Sequence, residues 1–536
     1  MALFTRASTK SVRDAEIAIA YRRYIMMGNI MFTYNIITHN VSNPLTKRYF
    51  RLSLSSMGTI AAAEDLAWFI DHGADRNTLA LMYGRRRIGK STALAKLTRE
   101  RNGFHWEATR AKTPIQLARL GAAIGEWRGV GALALSSWED GLARLLQLGA
   151  DNPIPIVLDE FGYLLESEPG LDSVVATMLG PARRQDAGRA RLILCGSAIA
   201  MMRSLTAGQA PLRGRAAREL LVQPYDFRRA ATLLGASRDW ELATRVFAVI
   251  GGVVGYATDM VDDDLPRTLD DFPRWIAQRV LSPAAALHHE ATTLLAEDPT
   301  LSAGDQTLHH SILNVIASGA VTLASIASKL GRPASNLDPV IRRLVDAGFV
   351  VRHDDPVRLR RPTFALADPF LQFHYAVLEP HRSALRERNV RNTWDSRLAV
   401  TFDSQVRGPV LEEQARAWVR RFAAPDTLGG DATHVGPSHV MMEKKDHQLD
   451  VVVSGGSEGV ALTDRPVLCI GEAKAGETVG ASRLRHLEQA RSALGPNAAG
   501  ARLLLFAPAF TNELRSIASK RGDTELIDFE RLYAGS

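Results

Sequence analysis

A glycine-bounded loop between an apolar run and a helical pattern constrains this chain more than any other feature. Residues 79–83 are apolar and indicate a buried strand, and Ala93, Leu94 and Leu97 then recur at helical spacing. The backbone amides of such a loop, with the start of the next helix, can surround phosphate oxygens, so the pattern predicts a P-loop for a nucleotide. The predicted nucleotide-binding residues of the loop are Gly84, Arg85, Arg86, Arg87, Ile88, Gly89, Lys90, Ser91 and Thr92.

Two acidic residues that follow a second buried run would complete this phosphate site. Asp159 and Glu160 come directly after the apolar residues 154–158. We expect Lys90 to reach the β and γ phosphates, and Ser91 and Asp159 to hold Mg²⁺. Glu160 would orient and deprotonate the attacking water. Two carboxylates after a strand could also be a solvated strand end, but their pairing with a P-loop favours the catalytic interpretation.

Three further polar residues are candidates for contact with the transferring phosphoryl group. Ser197 follows the apolar run 192–195 and would lie beside the γ phosphate as a sensor, although a serine there can also cap a helix. Arg213 and Arg215 could stabilise the charge that develops on the phosphoryl group. The alternative for both arginines is a solvated surface position.

Charge and cysteine usage limit the class of protein without identifying a partner. Residues 1–56 carry eight basic and two acidic side chains, a net charge of +6, so the rest of the chain holds only +1 of the total +7. We expect residues 1–56 to be disordered, or to precede a true start at Met57. Cys195 and Cys469 both lie in apolar runs, which indicates buried thiols and excludes a disulfide framework. Because no apolar run approaches the roughly 18 residues of a membrane span, we expect a cytoplasmic protein with no membrane contact.

The order of apolar patterns along the 536 residues predicts four successive units after the first segment. Residues 57–235 indicate an α/β nucleotide-binding domain with a parallel sheet, and residues 236–300 a small all-helical lid containing Gly251 and Gly252. Residues 301–385 indicate three helices and a hairpin, which predicts a winged helix-turn-helix. Its third helix would begin at Pro339 with Asp338 as N-cap. Residues 400–536 indicate a separate α/β unit.

A second group of polar residues stands in that last unit. Residues 449–453 and 467–474 indicate two strands, which carry Asp450 and the pair Glu472 and Lys474. Residues two apart on a strand share a face, so Glu472 and Lys474 would point into one cleft beside Asp450. Two carboxylates can bind Mg²⁺ there, and the lysine can hold an attacking water or stabilise the charge on phosphorus. The ordinary alternative is that both acids cap strands.

Basic side chains on the predicted third helix and hairpin leave DNA binding open. Arginines at these positions could neutralise phosphates, but aspartates lie among them, so a packing role is equally consistent with the pattern. The arginines concerned are Arg342, Arg343, Arg352, Arg358, Arg360 and Arg361.

The combination of these motifs resembles the archaeal-type, DEXX-box P-loop ATPases of the AAA+ and STAND group. The resemblance rests on residues 84–91, 158–164, 195–197 and 211–215, and on the paired glycines 251 and 252. The resemblance implies ATP binding and slow hydrolysis coupled to movement of a winged helix. The last unit resembles the PD-(D/E)xK restriction-endonuclease-like fold, in which Glu412 matches a helix acid that joins Asp450 and Glu472 at the metal, and Gln489 a later glutamine.

Two functions follow from this resemblance. The first is an ATPase whose nucleotide state repositions a winged helix and a nuclease-like domain, with ATP and Mg²⁺ as cofactors and DNA as partner. The second is a STAND-type signalling switch, in which ATP controls assembly with protein partners and the nuclease-like domain is inactive. A homo-oligomer is consistent with either function, and Arg215 could then act in its own subunit or in a neighbour's.

Overall fold

The computed structural model describes residues 60–180, 188–235, 239–302, 304–358, 361–387, 389–456, 461 and 464–536. The expectation about residues 1–56 therefore lies outside the described residues. Those described from the first helix onward belong to one compact unit. None of the helices in these ranges is long and apolar enough to cross a membrane.

The first part of the structure is a five-stranded sheet in which every strand is parallel to its neighbours. The order β2-β3-β4-β1-β5 places one strand between those that end at the P-loop and at Asp159. Alternation along β1 divides its side chains between two cores, with Leu79 and Leu81 on one face and Ala80 and Met82 on the other. The predicted α/β fold with a parallel sheet is confirmed. The strands are β1 (Thr78–Tyr83), β2 (Phe104–Glu107), β3 (Pro155–Asp159), β4 (Arg191–Gly196) and β5 (Ala216–Leu221).

Helices cover both faces of this sheet, and local capping sets several of their ends. Ser137 and Asp226 accept hydrogen bonds from the first turns of the helices that follow them. The helices are α1 (Ile60–His72), α2 (Lys90–Glu100), α3 (Thr113–Arg128), α4 (Trp138–Gln147), α5 (Phe161–Ser167), α6 (Leu171–Met178), α7 (Ile199–Ser204) and α8 (Phe227–Leu233).

A helical segment follows the sheet, as the pattern predicts. Gly252 lies against the backbone of Tyr225, where an added Cβ would be 1.9 Å from the carbonyl oxygen, so only glycine fits. The segment contains α9 (Trp240–Ile250), α10 (Phe272–Ile276), α11 (Ala286–Glu297) and α12 (Pro299–Ser302), with π-helical turns at Tyr256–Met260 and Ala277–Leu281.

Three helices and a two-stranded antiparallel hairpin come next: α13 (Gln306–Ala317), α14 (Leu323–Leu330), α15 (Ala334–Asp346), β6 (Val350–His353) and β7 (Thr363–Leu366).

The predicted start of the third helix is wrong. Pro339 lies inside α15, and the Asp338 side chain pairs with Arg342 at 2.7 Å instead of capping the helix. Leu337 is fully buried on the same face as Ile341 and Leu344. Burial of this extra turn outweighs the one backbone hydrogen bond that a helical proline forfeits.

A helical stretch connects the hairpin to the last unit, and its final helix, which carries Glu412, is the helix predicted ahead of the two strands. It consists of α16 (Pro369–Phe373), α17 (Arg382–Glu387), α18 (Val390–Thr393), α19 (Ala399–Phe402) and α20 (Gly408–Arg421), with π turns at His374–Leu378, Trp394–Leu398 and Asp403–Arg407 and a 3₁₀ turn at Glu379–His381. One apolar core runs from the parallel sheet through all these helices as far as Val410. Because the three predicted units share this core, the domain boundaries predicted at residues 235 and 300 stay predictions.

The last unit is built on a second five-stranded sheet of order β14-β12-β10-β9-β8. Its strands β8, β9 and β10 are antiparallel, whereas β10, β12 and β14 are parallel. The two predicted strands correspond to β9 and β10, and Lys474, predicted to end the second strand, lies one residue beyond β10. The elements are α21 (Pro425–Leu428), β8 (His434–Met442), β9 (Lys445–Ser454), β10 (Val467–Ala473), β11 (Thr478–Val479), α22 (Ala481–Ala493), a 3₁₀ turn (Pro496–Ala498), β12 (Arg502–Phe506), β13 (Ala509–Phe510), α23 (Asn512–Ala518), β14 (Thr524–Ile527) and α24 (Phe529–Ala534).

Candidate functional site

The loop between β1 and α2 has the backbone of a phosphate cradle. Gly84 passes so close to Val222 that an added Cβ would lie 2.4 Å from its carbonyl oxygen. Gly89 adopts a left-handed backbone, φ 93° and ψ 13°, at the N-cap of α2, where glycine costs least. The Nζ atom of Lys90, a residue only 6% exposed, donates to the carbonyl oxygens of Gly84 at 2.7 Å and Arg85 at 2.8 Å. The loop's own oxygens therefore hold the amine where a phosphate would compete for it.

Asp159 ends β3 as a buried carboxylate surrounded by donors. His105, Cys195 and Ser91 lie against it, with His105 Nε2 at 3.5 Å from Oδ2. Burial alone would raise the pKa of Asp159, but these side chains and the Glu160 amide outweigh it and hold the pKa well below its usual range. Its Oδ2 atom is buried without a hydrogen-bond partner. An ionised carboxylate with an unused oxygen beside a serine hydroxyl fits a divalent cation.

Glu160 and Ser197 meet next to this carboxylate. Glu160 has a left-handed backbone, φ 50° and ψ 45°, which non-glycine residues rarely adopt and which functional sites retain. The Ser197 hydroxyl donates to Glu160 Oε2 at 2.9 Å, and the Glu160 amide donates to Asp159 Oδ1 at 2.9 Å. Glu160 and Ser197 both line a cavity beside the P-loop, which Glu297 and Phe349 close from the other side. Ser197 thus contacts the predicted base, a contact that the sequence did not indicate.

The three arginines of the loop each pair with an acid from a distant part of the chain. Arg85 Nη1 lies 2.7 Å from Asp368 Oδ2, just before α16. Arg87 Nε lies 2.9 Å from Glu290 Oε1 on α11, and Arg86 pairs with Glu297 at the end of the same helix. The predicted phosphate ligands are therefore held by carboxylates in this structure.

Two predicted arginines lie away from the cavity beside the P-loop, whereas two residues that were not predicted lie close to Asp159. Arg213 and Arg215 are exposed, and each donates to a carbonyl of its own loop rather than lining the cavity. Glu107, at the end of β2, lies opposite Asp159 in the sheet. Burial, and then the carboxylates of Asp159 and Glu160, raise the pKa of Glu107. Sequence reasoning missed His105 and Glu107, although alternation at Phe104 and Trp106 was the available signal for β2.

The predicted polar residues of the last unit come together where the carboxyl end of β10 lies beside the middle of β9. Glu472 Oε1 lies 2.8 Å from Lys474 Nζ, and the Ala473 amide donates to Asp450 Oδ2 at 2.9 Å. Gln448 Nε2 lies 3.3 Å from both Glu412 Oε2 and Asp450 Oδ1. We name the group of Glu412, Gln448, Asp450, Glu472 and Lys474 the acidic cleft. Gln448 was not predicted, whereas Gln489 is exposed on α22.

Burial and the interactions among its charged side chains set the pKa values of the acidic cleft. Burial raises the pKa of Glu412 and of Asp450, and the Asp450 carboxylate raises that of Glu412 further. Burial lowers the pKa of Lys474, but Asp450 and Glu472 outweigh it and the net shift is upward. Glu472 Oε2 is buried without a hydrogen-bond partner. Within the described residues no three His, Cys, Asp or Glu side chains are arranged to hold a metal ion. The donor types and the unpartnered oxygen nonetheless fit a divalent cation, once Gln448 or Lys474 moves aside.

The basic residues near the hairpin are partly neutralised by neighbouring acids. Arg342 pairs with Asp338, and Arg352 Nη2 lies 2.8 Å from Asp354 Oδ1. Arg360 lies outside the described residues. These pairs leave fewer unopposed cations on this surface than the sequence alone indicates.

Comparisons with protein families and with curated proteins give a distant relative of this chain. No protein-family profile matches this chain. The uncharacterized protein MJECL04 of Methanocaldococcus jannaschii is 23% identical over 314 residues, which cover 57% of this chain and 65% of the relative. The chain thus spans less than two thirds of the length of that curated relative.

Solved structures resemble this fold over about three fifths of the chain. The Walker-type ATPase of Pyrococcus abyssi aligns with a TM-score of 0.43 at 19% identity, over 59% of this chain and 95% of its own. The ORC2 protein of Aeropyrum pernix, in its ADPNP–ADP complexes, aligns with a TM-score of 0.40 at 17% identity, over 61% and 94%. The ORC1 protein of that organism, in complex with DNA, aligns with a TM-score of 0.30 at 14% identity, over 64% and 93%.

Proposed function

We propose that this protein binds and hydrolyses ATP as an AAA+ or STAND-type P-loop ATPase. One observation carries the proposal: Lys90, Ser91, Asp159, Glu160 and Ser197 lie together at the carboxyl ends of β1, β3 and β4. In an open parallel sheet, this edge is where ligands bind. The strand order, with β4 between β1 and β3, puts Ser197 between the loop and the two acids.

Each residue then has a role that its position supports. The amides of the loop and of the first turn of α2 bind the phosphates, and Lys90 leaves the two carbonyl oxygens to contact the β and γ groups. Ser91 and Asp159 would hold Mg²⁺, which when bound supplies charge neutralisation. Glu160 takes a proton from water as the water oxygen bonds to the γ phosphorus and the bond to ADP breaks. The exposed Arg215 fits action on the nucleotide of a neighbouring copy in a homo-oligomer.

Calorimetric titration of magnesium-ATP into the whole chain tests the proposal. Lys90→Ala should abolish the binding heat because the amine that faces the phosphates is gone. Lys96→Ala is the matched control, since Lys96 is an exposed lysine of the same helix. Glu160→Gln should keep the heat but slow hydrolysis by roughly 10²-fold or more. Undiminished binding by Lys90→Ala would remove the basis of the proposal.

We further propose that α9–α12 form a lid over the nucleotide and that α13–α15 with β6 and β7 form a winged helix. Contacts from both parts with the P-loop support this: the Gly255 amide donates to the Arg87 carbonyl at 2.8 Å, and Phe349 lines the cavity beside Glu160. A bound nucleotide would therefore touch elements that belong to both units.

A second candidate activity is Mg²⁺-dependent cleavage of DNA in the acidic cleft. The juxtaposition of Asp450, Glu472 and Lys474 favours it. A water oxygen would bond to the phosphodiester phosphorus while the bond to the leaving sugar oxygen breaks, with a cleft carboxylate taking the water's proton. Lys474 would stabilise the charge on phosphorus, and a divalent cation bound by Glu412, Asp450 and Glu472 would supply Lewis acidity.

An endonuclease assay with and without ATP separates this activity from the signalling switch. Cleavage should require Mg²⁺ and be lost in Lys474→Ala, whereas Lys520→Ala, an exposed lysine of the same unit, should cleave normally. Absence of DNA binding and of cleavage at physiological salt would leave the switch, with protein partners, as the function of the last unit. ATP hydrolysis is measured in the same samples, so failure of one activity leaves the other testable.

A further inference from the structure

The β6–β7 hairpin contacts both functional sites of the chain. At its base, the Ala367 amide donates to the Phe349 carbonyl at 3.0 Å, and Asp368 follows directly. Its other end leads through His353 to Asp355. Because four residue pairs lock the two strands together, a displacement of the base moves the far end as well.

The base of the hairpin is fastened to the P-loop by a buried ion pair. Arg85 and Asp368 have side chains only 10% and 2% exposed, and their guanidinium and carboxylate are 2.7 Å apart. The Arg85 guanidinium also lies 5.6 Å from the centre of the Phe349 ring. Asp368 Oδ1 meanwhile caps α16 through the Phe370 amide at 2.8 Å. One loop arginine therefore holds the residues on both sides of the hairpin.

The far end of the hairpin is docked on the last unit, next to the acidic cleft. The buried Ser438 hydroxyl on β8 lies 2.9 Å from both carboxylate oxygens of Asp355. His353 Nε2 lies 3.4 Å from Glu413 Oε2, on the residue that follows Glu412. One cavity is lined by Val351 and His353 on the hairpin side and by Glu412 and Gln448 on the other. The hairpin thus walls a cavity that reaches two residues of the acidic cleft, Glu412 and Gln448.

We propose that the hairpin is a nucleotide-controlled cover of the acidic cleft, closed while Asp368 holds Arg85 and loosened when phosphates in the loop draw Arg85 away. The inference rests on the proposed ATP site. A triphosphate is a stronger competitor for a guanidinium than one carboxylate, because it offers more charge and more acceptor oxygens in the same loop. Arg86 and Arg87, paired with Glu297 and Glu290, are subject to the same competition.

Reciprocity gives the proposal a second consequence. If ATP weakens the contact between Arg85 and Asp368, loss of that contact must strengthen ATP binding by the same factor. Asp368→Asn is the informative change, since the amide oxygen can still cap α16 while the charge is gone. Asp239→Asn is the control, because Asp239 caps α9 in the same way through the Leu242 amide.

Hydrogen exchange of the whole chain, with and without a non-hydrolysable magnesium-ATP analogue, tests the cover. We expect the analogue to speed exchange of the amides of β6, β7 and the neighbourhood of Ser438 by about tenfold, in line with typical allosteric couplings. Asp368→Asn should show the faster exchange without nucleotide and bind the analogue about tenfold more tightly. Asp239→Asn should match the wild-type chain in both measurements.

The outcomes separate this inference from the ATP site on which it rests. If the analogue gives binding heat but the hairpin amides exchange at an unchanged or slower rate, the proposed cover is wrong. The proposed ATPase is then unaffected. Absence of binding heat would overturn both. If Asp368→Asn fails to fold, Arg85→Gln removes the same pair from the other side and leaves the cap, and its hairpin should exchange rapidly with or without the analogue.

Discussion

The contact between Ser197 and Glu160 decides whether the serine senses the γ phosphate or orients the base. The sequence predicted a sensor, whereas the structure has the hydroxyl donating to Glu160 Oε2 at 2.9 Å. If Ser197 acts through Glu160, its removal matters only while Glu160 can accept a proton. A double-mutant cycle of Ser197→Ala and Glu160→Gln measures that dependence.

The sizes of the single effects follow from the contacts. A hydrogen bond to a charged group contributes about 1.5–3 kcal/mol, and because this one is only partly buried we take the lower end for Ser197→Ala. That value is about a tenfold loss in the rate of hydrolysis. Loss of a general base in Glu160→Gln costs roughly 10²-fold. Independent residues would give the double variant a loss of about 10³-fold, whereas a serine acting through Glu160 gives about 10²-fold.

Single-turnover hydrolysis of ATP, with affinities measured by calorimetry, provides the four rates. The expected coupling between the two changes is about 1.4 kcal/mol, with the affinity for ATP unchanged. Ser204→Ala is the control, since the Ser204 hydroxyl donates to the Met201 carbonyl within α7. Multiplicative losses in the double variant would refute the orienting role and restore the sensor.

Three predictions on stability concern residues that hold the sites in place. Gly252→Ala should destabilise the chain by more than about 2 kcal/mol in urea unfolding, because its Cβ would collide with the Tyr225 backbone, whereas Gly500→Ala, with open space, should change little. Arg191→Met should cost about 3 kcal/mol or more, since the buried guanidinium donates to the carbonyls of Ile70, Gly73 and Arg76, and an unaltered midpoint would contradict this. Burial lowers the pKa of His374 to about 3. The unfolded chain therefore binds the extra proton first, and stability should fall by up to about 1.4 kcal/mol for each pH unit between 6.5 and about 3, a slope that His374→Asn should flatten.

The sequence predicted those parts of the sites whose residues are close together along the chain, because residues of a given chemical type then recur at a recognisable spacing. The P-loop lies in nine adjacent residues, and Glu472 and Lys474 are two residues apart at the carboxyl end of β10. The short strand β2 and the half-exposed β5 were missed, since their patterns are brief and their place is set by neighbouring strands. Pro339 misled the prediction for the start of α15 because tertiary burial of Leu337 outweighs the local helix-start signal of Asp338 and Pro339.

Contacts between distant residues had no local signal at all. Arg85 and Asp368 are 283 residues apart, and Arg87 and Glu290 are 203 apart. The same holds for Ser438 and Asp355, which are 83 apart. Nothing in the sequence around either partner marks the other, so the coupling between the P-loop, the hairpin and the acidic cleft could be found only from the structure.

The distant acids balance the positive charge of the three consecutive arginines in the P-loop. Adjacent guanidinium groups repel one another, and without a nucleotide the loop would concentrate positive charge beside Lys90. Asp368, Glu290 and Glu297 supply the missing negative charge from the segments that follow the sheet. Phosphates that enter the loop replace part of that charge, so the carboxylates are needed less as the site fills. When phosphates bind, the loop arginines exchange these carboxylates for phosphate oxygens. That exchange couples phosphate binding to the segments that the carboxylates hold in place.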